Sequence, residues 1–210
     1  MQIGWLLSQN TEPSNQRYLH NLAREIEGEG FDSMWIPQAV GRGFMVPDPF
    51  STLAVVAAAT ERVEVGTAIL QLPLYGIGDL IHRTLSLRQI AGSRLTSGIG
   101  AGSTESDFVV FGADYANRFR SFDCSVEQLR EGLSTGVVPE VSIDLAPAPE
   151  HLGCPNLIYG TWGKGVERAA REFNGWVASA FHRTDNEVIE ALARYREAGG
   201  TRAIASSLDG

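Results

Sequence analysis

Cysteine is scarce in this chain: Cys124 and Cys154 stand in different segments, with no second Cys or His at ligand spacing. That excludes a disulfide framework and a cysteine zinc site, and it points to a reducing, cytoplasmic setting. Positive charge is thin as well. Over 210 residues, 17 Lys and Arg face 25 Asp and Glu, a formal net charge of −8 with no basic block. The electrostatic footprint of a nucleic-acid or anionic-membrane binder is therefore missing. The longest wholly apolar run, residues 53–59, is far too short for a bilayer, and no basic region precedes the opening Met1-Gln2-Ile3-Gly4-Trp5; neither membrane insertion nor export is expected. His20, His82, His151 and His182 form no metal-ligand pair, and neither a Gly-x-Ser-x-Gly elbow nor a Walker loop occurs. Metal chemistry, a serine-hydrolase triad and nucleoside triphosphate hydrolysis thus lack their signatures. Small-molecule chemistry in one domain, residues 1–210, is what remains.

Hydrophobic residues make up 43% of the chain and Gly fills 23 positions, enough for one good core with many tight turns. Strand-like and helix-like runs alternate almost from end to end, the pattern of an α/β protein with a parallel sheet. Strands are predicted at residues 3–7, 33–36, 63–70, 95–99, 156–159, 175–178 and 203–206. Between them, Tyr18, Leu19, Leu22, Ala23 and Ile26 share a helical face, and an Ala/Val-rich helix covers residues 50–59. Asp79 is placed to cap a helix with Ile81, Leu85 and Ile90 inward, and Phe122, Val126, Leu129 and Leu133 repeat at helical spacing. Val166, Ala169, Ala170 and Phe173 do the same, and Thr184 with Glu187 forms a capping box ahead of Val188, Ala191, Leu192 and Tyr195. Residues 134–155 read as one long irregular stretch. Seven strands where a closed (β/α) barrel has eight predict an α/β fold of the TIM-barrel type, compact and incomplete toward the C-terminus.

In such folds ligands bind at the carboxyl ends of the strands, where loops converge and helix N-termini present free N–H groups. Three loops there stand out. Gly98-Ile99-Gly100-Ala101-Gly102 lets backbone approach a ligand closely, but it lacks the dinucleotide-fold glycine spacing and the acidic partner on the next strand. Gly160-Thr161-Trp162-Gly163-Lys164-Gly165 joins a short apolar strand to a helix with small residues, a hydroxyl and a lysine, a combination suited to phosphate; a plain βα turn is an equal reading. Thr67-Ala68-Ile69 puts small residues where a flat ring could press on backbone.

Taken in order, Gly30-Phe31-Asp32-Ser33-Met34-Trp35, Asp48-Pro49-Phe50, Ala58-Ala59-Thr60-Glu61-Arg62-Val63, Gly66-Thr67-Ala68, Ser93-Arg94-Leu95, Gly98-Ile99-Gly100-Ala101-Gly102, Phe111-Gly112-Ala113-Asp114 and Gly175-Trp176 resemble the bacterial luciferase-like monooxygenases. The resemblance implies a (β/α) barrel holding FMN or, alternatively, a deazaflavin, with the ring against the third strand and the phosphate near the fifth-strand loop. It implies a bulge, often with a cis non-proline peptide, around Ala68 and Ile69. It maps cofactor contacts onto Thr67, Ala68, Ile69, Arg118, Gly160, Thr161, Trp162, Gly163, Lys164 and Gly165, with Arg118 a partner for phosphate. The implied activity is oxidoreduction of a small organic substrate by reduced flavin, in a homodimer. The substrate pocket would take Trp5, Trp35, Phe44 and Tyr75. Two departures bear on catalysis: Gln38-Ala39 stands where many members carry an acidic residue followed by His, and Ala101 replaces a basic residue some members keep. No catalytic residue is therefore named, and the alternatives are a non-catalytic flavin-binding protein or a deazaflavin-dependent hydride-transfer enzyme.

Overall fold

The computed structural model describes residues 2–7, 17–145 and 152–206; His151 lies outside them. Seven helices alternate with strands in these segments: β1 (Gly4–Leu6), α1 (Tyr18–Gly28), β2 (Ser33–Ile36), α2 (Pro49–Ala59), β3 (Glu64–Thr67), β4 (Leu70–Gln71), α3 (Ile77–Ala91), β5 (Leu95–Gly100), α4 (Glu105–Phe111), α5 (Arg118–Thr135), β6 (Val137–Val138), β7 (Ile143–Asp144), β8 (Asn156–Gly160), α6 (Gly165–Glu172), β9 (Gly175–Ser179), α7 (Asp185–Glu197) and β10 (Ala203–Ser206).

The main sheet runs β1-β2-β3-β5-β8-β9-β10, with β4 also on β5, and every pairing in it is parallel. Strands β2 and β5 are buried along their whole length, as a sheet covered on both faces requires. The outer face packs on the helices: Ala23 and Ile26 of α1, Leu53 and Val56 of α2, Ile81 and Leu85 of α3, and Val126 and Leu129 of α5 belong to one continuous core. The inner face has its own cluster, Trp35, Ile158 and Val177, flanked by Leu6, Ala68, Ile69 and Ile204. Only a curled sheet brings residues of β1, β2, β8, β9 and β10 together like this. Arg202 measures the curl. It precedes β10 yet grips Glu64 at the start of β3 with Nη2 2.6 and 2.7 Å from the two carboxylate oxygens. In a flat sheet, four strand spacings would hold them about 19 Å apart. The sheet is thus a TIM-type barrel, closed among the described residues except between β10 and β1.

Most local signals act as expected. Asp48 caps α2 by accepting from the Ser51 N–H at 2.8 Å, and Thr184 and Glu187 form the predicted capping box on α7. Four expectations are corrected. Helix α3 begins at Ile77 behind Gly76, so Asp79 sits inside the first turn and pairs with Arg83 at 2.8 Å instead of capping. Ile90 on that helix faces outward, 49% exposed. Residues 134–155 include a small antiparallel ribbon, Val137↔Asp144 and Val138↔Ile143, whose strands are too short to show periodicity. Last, the strand predicted for residues 63–70 is broken in two. Gly66 pairs with Thr96 and Leu70 with Ile99, so one side advances a residue more than the other, which is a β-bulge. It holds a cis peptide between Ala68 and Ile69, where the resemblance placed it.

Candidate functional site

Above the inner cluster, at the carboxyl ends of the strands, lies a cavity of ≈ 800 Å³, within the range of small-molecule sites. Leu6 and Val177 form part of its floor, and the bulge residues Ala68 and Ile69 one flank. Ala101 and Gly102 after β5 and Gly160 at the end of β8 offer small side chains or none. The glycines have a steric role here: a Cβ on Gly100 or Gly160 would come within 2.6 or 2.5 Å of Ile69, so the bulged side chain seats only between two glycines. Phe44, Phe119 and Phe181 contribute apolar surface.

One wall is a polar chain built on Asp107 of α4, whose side chain has no exposure. Its carboxylate accepts from Arg42 Nη2 at 2.8 Å and Nε at 3.3 Å, from the Gly41 and Val40 N–H groups at 3.1 and 3.3 Å, and from Gln71 Nε2 at 2.7 Å. Burial works to raise the Asp107 pKa, yet the bonds from Arg42, Gln71 and Gly41 outweigh it and hold the carboxyl below the usual aspartate range. Gln38 continues the chain, accepting from the Gln71 N–H at 2.8 Å and donating to the Tyr75 hydroxyl at 2.7 Å. Burial pushes the Tyr75 phenol well above its ordinary value. With Gln71 Nε2 committed to a carboxylate, its Oε1 must face the other way. It is the one buried side-chain atom among the described residues without a hydrogen-bond partner, and a Cβ on Gly102 would stand 2.4 Å from it.

The opposite wall is cross-tied by two indoles. Trp162 Nε1 donates to the Ser179 carbonyl at 3.1 Å and Trp176 Nε1 to the Thr161 carbonyl at 2.8 Å, with the rings edge to face, centroids 5.5 Å apart. Two N–H donors thereby lash the loop after β8 to β9. His182 and Arg183, in the turn between β9 and α7, complete this side.

Of the residues named from the sequence, Ala68, Ile69, Gly160, Thr161 and Trp162 line the cavity. Gly163, Lys164 and Gly165 lie beyond its wall, where α6 begins. Thr67 is buried beneath, its hydroxyl on the Gly98 carbonyl at 2.7 Å. Arg118 sits behind the Gly102 loop with Nε on the Gly102 carbonyl at 3.2 Å and Nη1 on the Tyr115 carbonyl at 3.0 Å. Among the expected substrate aromatics only Phe44 reaches the cavity. Trp5 meets Phe31 edge to face, Trp35 is buried with its indole N–H on the Ser33 hydroxyl, and Tyr75 packs edge-on against Phe50. Sequence reading missed Arg42, Gln71 and Asp107. The available signal was an acidic residue opening a helix straight after a glycine-rich strand end, but a partner 65 positions away is invisible until the chain folds.

Residues 1–206 match the model of the luciferase-like monooxygenases. The chain belongs to that family. Among curated relatives of this luciferase-like chain, the alkanal monooxygenase alpha chain of Photorhabdus luminescens is 30% identical over 121 residues, 57% of this chain and 33% of that one. The chain thus matches about a third of that relative's length. Among solved structures, the oxygenating constituent of 3,6-diketocamphane monooxygenase from Pseudomonas putida, in complex with FMN, superposes with a TM-score of 0.73 at 18% identity over 96% of this chain and 64% of that one. An F420-dependent secondary alcohol dehydrogenase in complex with an F420-acetone adduct gives 0.72 at 19% over 97% and 68%. These two likenesses establish the barrel.

The cavity of this family member suits a flavin or deazaflavin. Gln71 Oε1 is a buried acceptor without a partner in this wall, and an imide N–H of the kind both ring systems carry is the complementary type of donor. Ala68, Ala101, Gly102 and Gly160 leave space for a flat ring.

Proposed function

We propose that the chain is a flavin-dependent oxidoreductase acting on a small organic substrate, with FMN as cofactor and a deazaflavin as the alternative. The observation that carries this is the ≈ 800 Å³ cavity at the strand ends, walled by small residues and aromatics and, among the described residues, with no Asp or Glu in its lining, in a protein of net charge −8. A phosphate-bearing ring compound fits both features. When bound, such a cofactor supplies hydride transfer or oxygen activation, the chemistry the side chains lack.

The residues' own tasks are positioning and exclusion of water. Asp107 orients Arg42 and Gln71, Gln71 orients Gln38, and the Phe44, Phe119 and Phe181 rings cover the cavity edge. Gln38 takes and releases no proton: both ends of its amide are committed, and Tyr75 behind it is held protonated by burial. That wall therefore supports binding without acid–base help, which favours as second reading a flavin-binding protein that does not turn over. Stripped protein titrated separately with FMN and with F420 tests the cofactor by fluorescence quenching; tight binding of one chooses it, and binding of neither overturns the reading. Reduced holoprotein offered candidate aldehydes, ketones and alcohols then separates enzyme from binder by product formation. The homodimer belongs to the same proposal, and a monomer in sedimentation at micromolar concentration removes it.

A further inference from the structure

The segment between β2 and α2 is held at both ends and free in the middle. At its start, Asp107 accepts from the Val40 and Gly41 N–H groups at 3.3 and 3.1 Å and grips Arg42 at 2.8 Å. Gly41 is packed so closely there that a Cβ would stand 2.5 Å from the Ser106 carbonyl oxygen. At its end, Val46 is buried in the cavity wall and Asp48 caps α2. Among the described residues, no hydrogen bond reaches residues 43–47. The backbone groups of the intervening tip, Gly43-Phe44-Met45, are therefore left to solvent.

The tip carries two large apolar side chains with little to cover them. Phe44 lines the cavity and is 45% exposed, while Met45, outside the lining, is 72% exposed. One such side chain on a surface is ordinary. Two in succession at the mouth of a cavity, on a stretch of backbone with no bonds of its own, have the makings of a movable cover. Gly43 supplies the hinge. Its φ is 77°, in the left-handed region, and glycine passes from there to negative φ without steric cost. A Cβ at Gly43 would meet nothing within 4 Å, so the glycine serves conformation and not packing. Three residues span at most about 10 Å, enough to swing the Phe44 ring across the mouth while Arg42 and Val46 stay in place.

We propose that Gly43-Phe44-Met45 is a flap that closes over a flavin bound in the cavity, Gly43 passing from positive to negative φ as Phe44 and Met45 fold inward. This rests on the flavin reading above. Closure takes both apolar side chains out of water and shuts solvent out of the cavity. Met45 is the reporter, because the chain's other methionines are Met1 and the fully buried Met34. Stripped protein and protein loaded with FMN are exposed in the dark to dilute hydrogen peroxide, and sulfoxide at each methionine is followed by peptide mass spectrometry. FMN should slow the oxidation of Met45 about tenfold, as a closed state favoured about ten to one requires. Met34 should stay unoxidised throughout, which reports an intact barrel. Gly43→Ala penalises the open form without a clash, since positive φ disfavours a residue with a Cβ. By flavin fluorescence it should bind FMN about fivefold to thirtyfold more tightly than the native protein.

A Met45 oxidation rate that FMN leaves unchanged overturns the proposal. So does protection that grows with protein concentration, which means burial between two copies, and so does FMN binding by Gly43→Ala that is no tighter than native. In those three cases FMN still binds and the flavin reading survives. Failure of FMN, riboflavin and F420 alike to bind removes both. Should Gly43→Ala not fold, the oxidation of Met45 in the native protein decides alone.

Discussion

Arg42→Met removes the charged partner of a carboxylate that has no contact with water. Breaking a buried pair from one side costs about 3–5 kcal/mol where nothing else solvates the remaining charge. Two features lower that figure here. Arg42 is itself 34% exposed, so part of its interaction is screened, and Asp107 keeps the Gln71 amide and the Val40 and Gly41 N–H groups. A loss of about 2 kcal/mol at neutral pH is expected, equivalent to about 4–8 °C in Tm for a chain of this size. The pH dependence carries the sharper test. In the native protein the Asp107 pKa is depressed below its ordinary value of 3.8, so its contribution is present above that value and disappears as pH falls through the folded pKa. Without Arg42, burial has less opposing it and the folded pKa moves up. The sign of the contribution then reverses, and acid relieves the variant by protonating Asp107. Melting curves by circular dichroism should show a gap between the two proteins that is widest near neutrality and closes below about pH 4. A gap independent of pH, or no gap, refutes the view that Arg42 neutralises a buried charge.

Gly98→Ala would set a Cβ 2.0 Å from the Thr67 carbonyl oxygen; because backbone cannot swing aside, a loss above about 3 kcal/mol and little soluble protein are expected, and a native-like melt would count against the packing at the bulge. Thr184→Ala removes the acceptor of the α7 capping box and should cost about 1 kcal/mol in urea unfolding. Glu27 is buried enough to raise its pKa, but N–H bonds from Val63, Arg62 and Glu61 prevail and lower it. Its depressed pKa gives stability above 4.5 that is lost on acidification. Glu27→Gln should therefore melt below the native protein at neutral pH and alongside it in acid, with a neutral-pH loss of about 1 kcal/mol after allowing for solvent; a difference that persists in acid would rule the carboxylate out as its cause.

Much of the scaffold was legible from local signals. The strand at residues 33–36 and the capping box at Thr184 declare themselves through neighbours a few positions away, and the Phe122-Val126-Leu129-Leu133 face needs only helical periodicity. The bulge was reached through resemblance rather than pattern, since nothing in Val65-Gly66-Thr67-Ala68-Ile69-Leu70 breaks the apolar run. Helix α4, seven residues long, escaped because so short a segment shows no period, and with it went Asp107. Of the expected aromatics, Trp35 does take the inner face but sits in the cluster beneath the cavity, because alternation fixes the face of a strand residue and not its depth in the barrel.

By itself, the order of strand and helix signals determined that this chain forms a parallel barrel, because those signals are local and the handedness of the connections leaves few ways to assemble them. Which side chains meet in the cavity was decided only by closure of the sheet. Arg42 and Asp107 stand 65 positions apart and Arg202 and Glu64 stand 138 apart. Arg118 and Lys164, conspicuous in the sequence, end up outside the cavity lining, while Arg42 and Gln71 are part of it. Charge placement depends on which residues the barrel curvature turns toward its axis, and that is a property of the assembled sheet, not of any segment within it.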